Sequence, residues 1–248
     1  MVKMQTTLQF RRSPENDLIY TEIFCAGIKY AEFAFGEKSE KTEKIKKIFK
    51  EIMDKAVKFA LEKEKFNKAF EDAKNKLLEE SKKGVGALGT HEIAGEIEDF
   101  LTQGKGLLDL FAKQLLKELF GFDGKWDCSK IVILLKNKEE IDQEVVSEID
   151  RVLKEDWDLW LKGFVDDRNL HHEQNFGLST MFITPAGPTI ILTRKNGAKV
   201  SKIKEYIEIN YANLFGLVKD LIYLSFCAIY PGLKGIRLNK EYFLPEGT

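Results

Sequence analysis

The stretch DDRNLHHEQN, residues 166–175, gathers side chains able to do acid–base chemistry on a charged substrate. Arg168 stands three and four residues before His171 and His172, the only adjacent histidines; the third histidine, His91, lies far upstream. A guanidinium grips two phosphate oxygens at once and offsets charge that develops on phosphorus. An imidazole titrating near neutrality takes a proton from a ribose 2′-hydroxyl or hands one to a leaving oxygen. Together they suit phosphodiester cleavage without a metal. The plainer alternative pairs Arg168 with Asp166, Asp167 or a neighbouring carboxylate, with both histidines closing a helix C-terminus, where the helix dipole favours them.

Other motifs carry less. Gly84, Gly86 and Gly89 spell GxGxxG, but LLEESKK before them is a charged helix end rather than the strand a dinucleotide fold requires. An inter-helix turn is the simpler expectation. None of His91, His171 and His172 has a glutamate three residues earlier, and no HExxH occurs. Neighbours on a helix diverge by about 100°, so His171, His172 and Glu173 do not make one good ligand set; neither metal nor cofactor is expected. Cys25, Cys128 and Cys227 show no metal-ligand spacing and are expected as free thiols in a reducing compartment. No GxSxG nucleophile elbow is present.

The elements that must hold the cluster follow from periodicity. Ile45, Phe49, Ile52, Ala56, Phe59, Phe66, Phe70, Ala73 and Leu77 recur at helical steps, with only Lys63 interrupting. They predict one long amphipathic helix, either a projecting arm or a bundle helix folded against its own chain. Thr90 would cap a second helix running from His91 to Phe120, stopped by Gly121; Gly104 and Gly106 inside it imply a kink or close packing. KWDCSKIVILLKN fits strand or short helix equally well. Asn137 and Glu140 resemble a capping box opening a third helix through Ile149, Trp157 and Phe164 into the cluster. Two β-prone runs around Pro185–Pro188 predict a hairpin at about 179–194, and a last helix spans about 200–229. In the first 36 residues TTLQF reads as a strand, and NDLIYTEIFCAGIKYAEFAF favours helix. The fold class is therefore mainly α, a bundle of four long helices with a small β-hairpin insertion. Residues 1–89 (N-terminal segment and long helix) and 90–248 (bundle and hairpin) form two units or one continuous domain.

A bundle in which Asp156-Trp157 leads to Arg168-Asn169-Leu170-His171-His172 resembles the HEPN superfamily. EIEDFLTQGKGLLDLFAKQLLKELFG, 96–121, looks like the partner helix of such bundles, and the hairpin is similar to an insertion in uncharacterised relatives. The resemblance spans roughly 90–230. It implies a homodimer with two motifs facing one cleft and metal-independent endoribonuclease activity of a toxin or defence type. On it, Arg168 would anchor phosphate, His172 (or His171) would be the acid–base and Asn169 would orient one of them. Asp99 or Asp109 would position the arginine. His172 follows Arg168 after three residues, a shorter spacer than the family's. A non-catalytic HEPN-like module binding nucleotide or protein is the alternative.

Charge is balanced, 39 basic against 40 acidic residues, so RNA binding needs a local patch. The N-terminal MVKMQTTLQFRR has no apolar signal core, and LIYLSFCAIY is about half a membrane span. A cytoplasmic protein is expected, with RNA, a second copy of itself and an antitoxin or other protein as its partners and with no membrane attachment.

Overall fold

The computed structural model describes residues 20–84, 86–89, 91–172, 180–184, 187–193, 199–200 and 202–236. A π-helical stretch Tyr20–Cys25 leads into α1, Ala26–Phe35. Ser39 then caps α2, Glu40–Ser81, by accepting the Thr42 N–H at 3.0 Å. At about 1.5 Å per residue this helix is ~63 Å long. It folds against its own chain, packing on the helices His91–Leu110 and Ile203–Ile229 of the same core.

Its apolar stripe is continuous because Lys63 is accommodated rather than expelled. Lys63 is only 6% exposed; its ammonium meets Glu208 at 2.9 Å and lies 4.1 Å from the centre of the Tyr211 ring. The stem fills the core while the charge is met by carboxylate and π face.

After Gly84 (φ 89°) a short strand β1, Ala87–Gly89, follows. The helix α3, His91–Leu110, continues as a π-helical stretch Phe111–Leu116 and a last turn α4, Lys117–Phe120. Gly121 ends it at φ 71°, where a Cβ would be strained, and donates its N–H to Lys117 at 2.8 Å. The ambiguous IVILL run is helix: α5, Cys128–Lys136, is capped by Asp127 and buries Ile131, Val132 and Leu135 on one face. Asp142, not Asn137, caps the next helix, α6, Gln143–Asp156, accepting the N–H of Glu144 and Val145. Asn137 closes α5 instead. A π-helical stretch Trp157–Leu161 joins α6 without a break to α7, Lys162–His172. Strands β2, Thr180–Thr184, and β3, Gly187–Thr193, form the expected hairpin. β4, Lys199–Val200, and helix α8, Ile203–Ile229, complete the main elements.

The sheet runs β1–β2–β3–β4, all antiparallel, with Leu88 opposite Met181 and Met181 opposite Ile190. It lies on α2 and α8, with Met181 fully buried. The strands β1 and β4 extend the sheet beyond the expected hairpin; three and two residues long, they are below what periodicity detects. Thr90, Glu173, the TTLQF segment and the Pro185–Ala186 turn lie outside the described residues.

Buried residues from Ile23 to Leu233 form one cluster, with Phe49, Phe59, Phe100, Phe164 and Phe226 among its largest members. By length and composition α8 is able to cross a bilayer, with mean hydropathy 1.5 in its most apolar window. Yet 56% of that window is buried inside the fold.

Gly104 is where close packing is obligatory. A Cβ there would come 2.6 Å from the Phe164 ring and 2.9 Å from the Phe59 ring, so α3 and α7 approach across a missing side chain. Gly104→Ala should cost about 1–3 kcal/mol, the usual penalty for overpacking a core. Urea denaturation checks this, and an unchanged midpoint would refute the packing.

Candidate functional site

The last two turns of α7 carry the cluster, and the core fixes their position. Leu161 and Phe164 are fully buried, and the Phe164 ring meets Phe100 edge-on at 6.3 Å and Trp160 at 6.2 Å. The Trp160 indole donates to Asp156 at 2.8 Å across the π-helical stretch. One turn beyond Phe164, Asp167 is buried and accepts from the Tyr206 hydroxyl at 2.8 Å, which ties α7 to α8.

Arg168 follows. Its Nη1 donates to Asn169 at 3.3 Å, and its Nε is buried without a hydrogen-bond partner. Among the described residues no carboxylate lies within ion-pair distance of it. The ion pair with Asp166 or Asp167 that would make the arginine purely structural is therefore not formed. An orphaned buried N–H is costly, which leaves this guanidinium in want of an acceptor.

The helix continues through His172, so Arg168 and His172 start from the same face, four residues or ~6 Å apart along the axis. On this helix the described side chains run as far as Asn169; those of His171 and His172 lie beyond them. Asn169 is exposed and orients the arginine through the contact just given.

Neither aspartate expected to position Arg168 is paired with it among the described residues. Asp109 accepts from Lys105 at 2.6 Å and from the Trp126 backbone N–H at 2.9 Å. It stands ten residues, ~15 Å, along the helix from Asp99. Asp99 is exposed and joins Glu62 and Glu96 in a trio whose carboxylate oxygens lie within 4.8 Å of one another. Burial, then repulsion from Glu62, raises the Glu96 carboxyl above its usual range, and Lys65 neutralises Glu62 at 2.9 Å.

Two cavities flank the helix. One, about 520 Å³, is lined by Trp126, Cys128, Leu153 and Trp157 between α5 and α6; burial pushes the Cys128 thiol up to about 11, far from a reactive thiolate. The other, about 470 Å³, opens between α7 and α8 and is lined by Asp158, Trp160, Lys162, Asp166, Asp167 and Tyr206. Arg168 lines neither of them. The sequence carried no signal for the Tyr206–Asp167 bond, whose partners are 39 residues apart. Asp158, Lys162 and Asp166 stand at four-residue steps in the sequence, which places them along one helix face.

Comparison with protein-family models, curated proteins and solved structures returns no match.

Behind the second cavity Asp156 is half-buried, and its carboxyl is raised from the ordinary 3.8 by burial first, then by Asp220 and Glu155, against the Trp160 hydrogen bond. Between the unfolded and the folded pKa the native state holds the extra proton, so this group loses stability for the fold as pH rises. Asp156→Asn keeps the acceptor for Trp160 and removes the buried charge. Its melting temperature should exceed wild type at pH 7, and the gap should narrow towards pH 4 as Asp156 protonates. A gap independent of pH would contradict the assignment.

Proposed function

We propose that this chain is a HEPN-like helical protein acting as a metal-independent endoribonuclease of a toxin or defence type, cytoplasmic and homodimeric. One observation carries the reading: a guanidinium with an unsatisfied buried N–H and no carboxylate partner among the described residues, one helical turn before a histidine. Arginine left unpaired in this way suits an oxyanion, because its planar fork meets two phosphate oxygens at once.

Arg168 holds the non-bridging oxygens and offsets the charge that builds on phosphorus. His172, or His171 beside it, takes the proton from the 2′-hydroxyl. The 2′-oxygen bonds to phosphorus, the P–O5′ bond breaks, and a second imidazole protonates the departing 5′-oxygen. The products are a 2′,3′-cyclic phosphate and a 5′-hydroxyl. The second imidazole comes from the neighbouring histidine or from the facing motif of a second copy.

The other reading is a non-catalytic HEPN-like module that binds nucleotide or protein. Its protein-binding form is favoured by the cavity beside the cluster, where Asp158, Asp166 and Asp167 outnumber Lys162 and repel phosphate, whether of RNA or of a nucleotide.

The two separate in one assay. Purified protein is incubated with single-stranded RNA in excess EDTA, alongside Arg168→Ala and His172→Ala variants whose circular dichroism matches wild type. Cleavage by wild type and a loss of about 100-fold or more in each variant is expected. Equal cleavage by all three, or none by any, removes the mechanism.

A further inference from the structure

The cleft between α7 and α8 combines features that neither a phosphate nor a second copy would use. Leu159 and Ile209 line it with 81% and 56% of their surfaces exposed, far above what large aliphatic side chains of a core-facing helix show. Trp160 and Tyr206 form its aromatic walls. Asp158 and Asp166 are exposed and make no ion pair among the described residues. Lys162, one turn from each, is the single cation among the lining residues. Asp156, bonded to the Trp160 indole, adds an acidic group behind that wall.

We infer that this cleft docks a basic amphipathic segment of a protein partner. A lysine or arginine side chain enters between the aromatic walls towards Asp158 and Asp166, and apolar side chains on the same segment cover Leu159 and Ile209. Cations are attracted both by the carboxylates and by the faces of tryptophan and tyrosine. The occupant is neither RNA nor a second copy of the chain. RNA would set phosphates against carboxylates, and a two-fold contact through this patch would set carboxylates against carboxylates. A free polyamine would satisfy the charge but leave Leu159 and Ile209 in water. The inference does not rest on what Arg168 does with RNA.

The test uses the full chain and a fluorescein-labelled synthetic helical peptide with leucine on one face and lysine on the other. A control peptide carries glutamate in place of lysine. Fluorescence anisotropy should show saturable, salt-sensitive binding of the lysine peptide alone. Asp158→Asn with Asp166→Asn, and separately Leu159→Ser with Ile209→Ser, should each weaken it about tenfold or more, since contacts on both parts of the surface are needed. All four positions bar none are solvent-facing, so circular dichroism should be unchanged. The proposal is overturned by any of four results: no binding, equal binding of both peptides, unaltered affinity in both variants, or full competition by spermine at the peptide's own concentration. Conversion of a dimer to a monomer by the Leu159→Ser, Ile209→Ser variant, seen by light scattering, would assign the face to a second copy and overturn it as well.

Discussion

Everything placed at the end of α7 depends on the contact between Phe164 and the bare backbone at Gly104. With no side chain at that position, the Phe164 ring sits among Phe59, Phe100 and Trp160 and brings α7 within reach of both α3 and α8. From there the chain has one helical turn in which to turn polar. Asp167 is still inside and needs the Tyr206 hydroxyl; Arg168 is half out; Asn169 is in solvent. The gradient over those residues leaves a guanidinium at the edge of a packed core, where it keeps its orientation while part of it meets water.

Two electrostatic surfaces result, and they differ in sign. Arg168 is a cation without a carboxylate partner among the described residues, followed by two histidines on a helix C-terminus that favours positive charge. On the neighbouring face, four-residue steps place Asp158 and Asp166 beside the Tyr206 wall. A chain whose net charge is −1 can thus offer an anion site and a cation-attracting cleft, since the balance is local rather than global. Aspartate at 156 extends the acidic side inward, where burial makes its ionisation unfavourable.

Much of this was legible in the residue pattern, and the exceptions have physical causes. The stripe of α2 named its buried face, and the long helices and the hairpin lie where periodicity places them. Lys63 looked like a break in that stripe, but a distant glutamate and a tyrosine ring accept it, and distant partners leave no local trace. Nine residues of IVILL and its flanks were too few to separate strand from helix; the Asp127 cap and the burial of Ile131 and Leu135 decide for helix. Asn137 and Asp142 both have capping chemistry, and only the backbone shows that the later one opens α6. Asp109 shares a helix with Asp99, but its carboxylate is taken by Lys105 and the Trp126 backbone, partners that leave no trace in the periodicity. Arg168, Asn169 and the histidines could be picked out as a cluster, whereas Tyr206 and the aliphatic rim of the cleft emerge only from packing.

On the reading proposed above, the Arg168 guanidinium grips an anion. The most direct measurement is the Nε–H resonance of Arg168 in protein labelled with ¹⁵N, assigned with Arg168→Lys, during titration with a 3′-mononucleotide. Saturable movement of that one resonance, with slower exchange of its proton with water as the acceptor is supplied, is the predicted result. A resonance that stays fixed while nucleotide is added in large excess would contradict the account.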